Sequence, residues 1–389
     1  MKKLLRLIFC LLPVVSFWAC REQEAKQASE QQDELRLVKT DSFEIQGSNL
    51  TFQGFQKGKL LLSNMLVFDV VIYDLNQKTT HSFRRRGSNF DEYYNIWRNI
   101  AVYNDTTVVV STFNSLVYYS LDGKFLRYVA LPRRSSQMVM QIMDPVFCKE
   151  KMIGLHMEAG DIADSESYLN PRPAIIILDS LQSNKAAFEF LGKNPEAESR
   201  FSSGKETSYY ATHLRMTVDE SCRHAYVQPF NEPLLFVYDL KQKKKVRALP
   251  LELPGFKVYA YPINQKESVV SPALDQYLSA RVEYLQYLGN DTLACIYKVA
   301  ADERMLKDFH NKYPEFPVNA PNVRLDHRVA FIHPERGVLA TLKVSKELGR
   351  PVCLLDSKHL LVQEYDTEED EMQNRSRFTV YRIEGQEGK

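Results

Sequence analysis

Residues 104–131, NDTTVVVSTFNSLVYYSLDGKFLRYVAL, read as one unit: turn, apolar strand, turn, apolar strand, Asp-Gly hairpin, strand. Thr106–Val110 is β-branched without alternation, the pattern of a strand buried on both faces. Leu116–Leu121 is a second apolar strand, and Asp122-Gly123 is a hairpin signal. Phe125–Leu131 alternates, as a half-exposed outer strand does.

The unit recurs in register. GKLLLSN (58–64) leads into VVIYDLNQKTTHSF (70–83), KEKMIGL (149–155) into AIIILDSLQSNKAAFEFL (174–191), and ESCRHAYV (220–227) into LLFVYDLKQKKKVRAL (234–249). GNDTLACIY (289–297) then leads into HRVAFIHPERGVLATLKV (327–344), and LDSKHLLV (355–362) into FTVYRIE (378–384). Equivalent positions are Leu60, Thr107, Met152, Ala225, Leu293 and Leu360, stepping by about 47, 45, 73, 68 and 67 residues. The first two steps match the ~40–50-residue period of propeller blades, and the others are that period plus loop insertions. One further strand candidate precedes each copy: LTFQGF (50–55), IAVYN (100–104), QIMDPVF (141–147), LRMTVD (214–219), VEYLQYL (282–288) and PVCLL (351–355). The last unit then has three strands, and ELRLVKTDSFEIQG (34–47) supplies the fourth by pairing with Phe378–Ile383. The expected fold is all-β, a six-bladed β-propeller whose N-terminal strand closes the last blade and removes the open edge. A β-sandwich pair or a smaller barrel would use the same strands, but six copies fit a ring better than two sheets.

Met1–Cys20 has the form of an export signal, with Lys2, Lys3 and Arg6 ahead of the apolar stretch Leu7–Trp18. That stretch is too short to cross a bilayer core of ~30 Å. Phe-Trp-Ala-Cys (17–20) resembles a bacterial lipobox, which makes Cys20 the expected lipidation site, although Phe17 and Trp18 are bulkier than the usual pattern. The competing reading is ordinary cleavage near Ala19. Arg21–Glu34 is polar and free of aromatics and reads as a flexible tether, leaving 35–389 as a single propeller domain. Lys+Arg 50 against Asp+Glu 49 leaves no net basic field for nucleic acid.

Loops of a four-stranded blade alternate between the two ends of the ring. Here the turns after first and third strands are short, among them Lys57-Gly58, Asn104-Asp105, Asp122-Gly123 and Asp356-Ser357. The long segments, 84–95, 159–172, 192–213, 252–278, 300–326 and 366–376, all follow second or fourth strands and should gather at the other end. Long loops in compact domains are usually functional. On them or on neighbouring loops lie Arg84, Arg85, Arg86, Arg133 and Arg134, closely followed by the aromatics Phe90, Tyr93, Tyr94 and Trp97, with Tyr209, Tyr210, His213, Tyr259 and Tyr261 beyond. Arg85, Arg86, Tyr94, Trp97, Arg134, Tyr210 and His213 are the candidate ligand-binding residues, because arginine and aromatic platforms are enriched at interfaces and ligand funnels. Ordinary loop packing is the competing reading for each of them. Residues 303–313 read as a short helix capping the ring.

No nucleophile elbow and no phosphate loop is present, and no catalytic residue is assigned. His327 and His333 share a strand face but are ~20 Å apart at ~3.3 Å per residue, too far to chelate one ion. His224 and His359 occupy equivalent blade positions and read as a structural repeat position. GDIADSES (160–167) and DTEED (366–370) lack the spacing of a calcium loop. No metal or cofactor is expected. Cys148, Cys222, Cys295 and Cys353 fall in four different blades and are expected to be buried free thiols.

The lipobox-like start, the polar tether and repeats of the type KLLL…VVIYDLNQKT resemble the Bacteroidota propeller lipoproteins, in particular domain-of-unknown-function family 4221. The resemblance covers nearly the whole chain after the leader. It implies a six-bladed propeller on a lipid anchor in the bilayer, at the outer membrane or cell surface, and brings no catalytic residues. The expected function is a non-enzymatic, membrane-anchored binding module for a glycan, peptide or envelope protein. The alternatives are a glycan- or peptide-processing enzyme using His213 or carboxylates in the central funnel, and a structural subunit of an envelope complex.

Overall fold

The computed structural model describes residues 35–385 except 65, 113–114, 132–138, 160–174, 180–186, 192–205, 208–212, 260, 263–277 and 313–323. The leader with Cys20, the tether, Arg133, Arg134, Tyr209, Tyr210 and the acidic loop 160–167 lie outside the described residues.

Strand β1 (Arg36–Gln46) comes first and is used last. Blade I follows as β2 (Leu50–Gln56), β3 (Lys59–Asn64), β4 (Asp69–Asp74) and β5 (Thr79–Phe83). Blade II is β6 (Ile100–Asn104), β7 (Thr107–Thr112), β8 (Ser115–Ser120) and β9 (Phe125–Ala130). Blade III is β10 (Val139–Cys148), β11 (Lys151–Ala159), β12 (Ile175–Asp179) and β13 (Ala187–Leu191). After the short strand β14 (Glu206–Thr207), blade IV is β15 (Leu214–Val218), β16 (His224–Pro229), β17 (Leu234–Asp239) and β18 (Lys244–Pro250). Strand β19 (Tyr261–Pro262) pairs with β14, linking two of the long connections. Blade V is β20 (Arg281–Gly289), β21 (Thr292–Lys298), β22 (His327–His333) and β23 (Gly337–Val344), with helix α1 (Glu303–Lys312) between its second and third strands. Blade VI is β24 (Arg350–Leu354), β25 (His359–Gln363), helix α2 (Glu368–Met372) and β26 (Arg375–Glu384), with β1 as its fourth strand.

The closure is antiparallel, with Phe43 opposite Phe378 and Glu44 opposite Arg377. The Phe43 ring stacks on Tyr73 of blade I at 4.7 Å and on Phe378 at 5.5 Å, so one side chain ties the closing strand to two blades. Pairing β1 with β26 gives blade VI its outer strand and covers the edge that β26 would otherwise expose.

The core is divided among six seams. Each apolar cluster joins two neighbouring blades: Leu61, Ile72 and Phe83 of blade I meet Val108, Val110 and Tyr119 of blade II, and Leu60 and Tyr73 of blade I meet Cys353 and Phe378 of blade VI. This explains why β3, β7 and β17 are unbroken apolar runs: central strands of a blade are covered on both faces. Polar side chains sew the inner strands together. Gln56 accepts from Val102 N at 2.9 Å in blade II and donates to Pro145 O at 2.8 Å in blade III. Gln286 donates to Leu354 O at 2.8 Å and accepts from Leu354 N at 3.0 Å across the V–VI seam.

One sequence expectation is overturned. Cys148 and Cys222 are not free thiols; they form a disulfide with Cα atoms 5.8 Å apart. Cys148 ends the first strand of blade III, and Cys222 sits in the turn after the first strand of blade IV. The two positions share one end of adjacent blades, which brings them within bonding range although the chain separates them by 74 residues. Cys295 and Cys353 are free and buried.

His224 and His359 are equivalent: each opens a second strand, and each Nδ1 lies against an aspartate of the preceding turn, Asp219 at 2.9 Å and Asp356 at 2.8 Å.

Candidate functional site

Three inner strands carry a register shift at a polar residue: β2 at Gln53, β10 at Asp144-Pro145 and β20 at Glu283. A bulge re-aims the side chain of the extra residue. Here the re-aimed groups meet on the propeller axis. Arg98, just before β6, places Nε 2.9 Å from Asp144 Oδ1 and donates Nη1 to the backbone carbonyl of Glu283, while its own N donates to Gln53 Oε1. A residue of blade II that bonds blades I, III and V at once must lie at the centre of the ring. Its backbone is left-handed, at φ 52°, as is that of Asp144 at φ 45°. Both are costly for residues with a Cβ, by about 1–3 kcal/mol each, and such strain persists where surrounding bonds over-determine it.

Glu283 is the hub. Its carboxylate lies 3.2 Å from Arg281 Nη2, 3.0 Å from Arg350 Nε and 3.4 Å from His327 Nε2. Arg215 Nε donates to the Glu283 carbonyl at 2.8 Å, and its guanidinium lies 3.7 Å from the Phe230 ring centre. Burial pushes the Glu283 carboxyl upward, but Arg350, His327 and Arg281 outweigh it and hold it well below the usual range. Burial, reinforced by Arg98, pushes the Arg215 guanidinium down, and Asp144 and Glu283 oppose it. A guanidinium keeps its proton in a protein, and this buried cation is held by the Glu283 and Leu214 carbonyls and the face of the Phe230 ring.

These groups lie where the inner strands begin, the end that carries the long connections. Trp97 and His213 meet there from the approaches to blades II and IV, with ring centres 5.4 Å apart, and His213 is a further 5.4 Å from Phe230. Burial, Arg215 and Arg281 push His213 down to about 4, so it is neutral at pH 7. At the start of blade VI, Gly349 has φ 116°, and a Cβ there would lie 2.3 Å from Gln363 O. Only glycine fits, and the turn it makes delivers Arg350 to Glu283. Arg324, entering β22, lies over the Tyr365 ring at 4.2 Å. Burial raises the Tyr365 hydroxyl pKa, and Arg324 and Arg350 oppose it.

The sequence candidates therefore divide. Trp97 and His213 come together at the axis. Arg85 instead donates Nε to Gly123 O at 3.1 Å, in the hairpin turn of blade II. Arg86 lies over the Phe68 ring of blade I at 4.1 Å. Tyr94 is 60% exposed. Arg134 and Tyr210 lie outside the described residues. Missed from sequence were Arg281, Glu283, Arg324, Arg350 and Tyr365. A signal for Glu283 was available: QIMDPVF, LTFQGF and VEYLQYL each interrupt an apolar inner strand with polar residues, among them Asp144, Gln53 and Glu283.

A cavity of about 340 Å³ occupies the other end of the axis, between the ends of the inner strands and the turns after them. Lys57, Phe147, the Cys148–Cys222 bridge, Glu220 and Tyr287 line it above Asp144 and Tyr284. Among the described residues, no three metal-ligating side chains come together.

No family model and no curated protein matches the chain. Solved structures do. A duf4221 family member from Bacteroides vulgatus aligns over 91% of this chain and 100% of its own, with TM-score 0.59 and 11% identity. A Bacteroides fragilis protein named as a candidate exported protein aligns over 90% of this chain and 95% of its own, with TM-score 0.50 and 13% identity. At such identity the likeness speaks for fold. The chain is a six-bladed β-propeller that fits the fold of the Bacteroidota duf4221 member, as its blade motifs implied.

Proposed function

We propose that the chain is a non-enzymatic binding module of the cell envelope, exported and anchored by a lipid on Cys20, that takes a glycan, peptide or envelope protein at the long-connection end of its axis. The observation that carries this reading is the meeting of Trp97 and His213, from two different blades, beside the guanidiniums gathered on Glu283. An aromatic pair next to a few convergent polar groups is the usual composition of a small-ligand site. Export is supported by the leader and by the name of the Bacteroides fragilis neighbour.

The ion pairing favours binding over turnover. Asp144 is paired with Arg98, and Glu283 is shared by two guanidiniums and the His327 imidazole. A carboxylic general acid needs its pKa raised towards the working pH, and Glu283 is shifted the other way.

Thermal unfolding of a chain beginning at Arg21, which keeps every blade strand, tests the reading against a panel of oligosaccharides and peptides. A ligand at a hundred times its Kd stabilises by about 2.7 kcal/mol. The reading requires a shift that Trp97→Ala removes. A shift that Trp97→Ala and His213→Ala both leave intact would place the site elsewhere. In cells, Cys20→Ala should release the protein from the membrane fraction; retention would refute the anchor.

A further inference from the structure

We propose that the cavity at the short-turn end of the axis is a second binding site, which takes a small, neutral aromatic molecule bearing a hydrogen-bond acceptor. It is independent of the site proposed above and lies on the other side of the Arg98–Asp144 pair.

The walls are the first observation. A volume of about 340 Å³ falls in the range of small-ligand sites, roughly 300–1,000 Å³. Five of the six inner strands line it, and β24 of blade VI does not. The reason is Tyr284. Its residue belongs to blade V, yet its hydroxyl accepts from Phe55 N of blade I at 3.2 Å and its ring meets Phe52 edge-on at 5.0 Å. A side chain that reaches from blade V to blade I passes in front of blade VI, so the Tyr284 ring is the wall on that side. Across from it stand Phe147 of blade III, Met216 of blade IV and the Cys148–Cys222 bridge. Rings and sulfur are the surfaces that favour an aromatic guest over an aliphatic one.

Hydrogen-bonding capacity is the second. The lining amides of Gln53, Gln56 and Gln286 each donate and accept within the protein. Asp144 accepts from Arg98 Nε at 2.9 Å and Met216 N at 3.2 Å, and Asp219 from the backbone of Arg223 at 2.8 Å and of His224 at 3.0 Å. Tyr284 and Thr217 differ. Each gives the protein only its oxygen, Thr217 to Tyr287 N at 3.2 Å, and neither O–H has an acceptor among the described residues. Both hydroxyls keep their protons at neutral pH. The unspent side-chain capacity at depth is therefore donating, which suits a carbonyl or ether oxygen on the guest. At the rim, Lys57 and Glu220 are exposed and opposite in sign, so charge selects neither an anion nor a cation.

Ligand-observed NMR titration of the chain beginning at Arg21 tests this with acetophenone, one ring bearing a carbonyl, and ethylbenzene, the same ring without it. Acetophenone should bind saturably and about fivefold more tightly, the worth of one net hydrogen bond. Tyr284→Phe and Thr217→Val keep the shape of the wall and remove the donors. Together they should erase the preference for acetophenone and leave ethylbenzene binding unchanged, which a folding defect would not do. Val146→Phe, which adds bulk to the wall, should weaken both probes about tenfold, and Trp97→Ala should weaken neither. The inference is overturned if neither ring binds saturably, or if the preference survives the double variant. Binding that Trp97→Ala removes and Val146→Phe leaves intact would also overturn it, because the ring would then sit at the other end of the axis.

Discussion

Arg350 of blade VI reaches across the seam to set its Nε 3.0 Å from Oε2 of Glu283 in blade V. The same carboxylate takes Arg281 from its own strand and His327 from the third strand of its blade. Glu283 thus links the first and third strands of blade V to blade VI, and through its carbonyl it also receives Arg98 and Arg215. The axis of this propeller is held by charge, while its seams are held by apolar packing.

Glu283→Gln keeps the shape of the side chain and removes the charge that Arg281 and Arg350 share. Breaking a buried ion pair from one side costs about 3–5 kcal/mol. Urea unfolding should show a loss of that order. The pH dependence follows from the same pairing. The folded-state pKa of Glu283 lies below its unfolded value, so its contribution is fully present above the unfolded pKa and is lost as pH falls through the folded one. Stability of the parent chain should decline in acid below about pH 4.5, and the glutamine variant should decline less.

His213 acts in a higher window. Its folded pKa, about 4, lies below the ordinary 6.5, so the unfolded chain binds the extra proton between these values. The His213 contribution to stability should fall as pH drops from 6.5 to 4 and change no further below that. His213→Gln should flatten this part of the profile, as measured by unfolding midpoints at several pH values.

The disulfide has a stoichiometric test. Without reductant, the denatured chain beginning at Arg21 should show two reactive thiols, Cys295 and Cys353, not four. In the native state both should be silent, since burial pushes the Cys295 thiol up to about 12 and the Cys353 thiol well up. Replacing Cys148 and Cys222 by Ser should destabilise by about 2–4 kcal/mol, because the bridge closes a long loop.

Gly349→Ala tests whether the backbone aims Arg350. The left-handed φ and the contact with Gln363 O should together destabilise by about 1–3 kcal/mol. Binding at the axial site should weaken more than stability alone explains. Equal losses at Gly123→Ala, a left-handed glycine in the hairpin of blade II, would show that the effect is not local to the site.

The blades were legible because their signals are local. Asp122-Gly123 marks a hairpin and Thr107–Val110 a strand covered on both faces, and neither needs knowledge of the rest of the chain. Closure by β1 was legible because one blade lacked a strand. The disulfide was not: Cys148 and Cys222 are neighbours only because the turns of adjacent blades share an end and curve together. Arg85 and Arg86 looked like site residues because they are charged and sit on a long loop, yet Gly123 and Phe68 draw them away. Arg281, Glu283 and Arg350 were hidden for the opposite reason. They sit in or at the start of inner strands, where a bulge or a glycine turn decides that they face the axis, and a one-residue change of register has no signature in composition.

Trp97 is the only tryptophan after Trp18, so a chain beginning at Arg21 carries one emitter, placed at the proposed site. Its fluorescence during titration with whichever oligosaccharide or peptide shifts the unfolding midpoint tests the central claim most directly. The account predicts a saturable change in emission whose midpoint equals the calorimetric Kd and which weakens in His213→Ala. Binding by calorimetry with no change in Trp97 emission would contradict it, and would turn attention to the cavity beside the Cys148–Cys222 bridge.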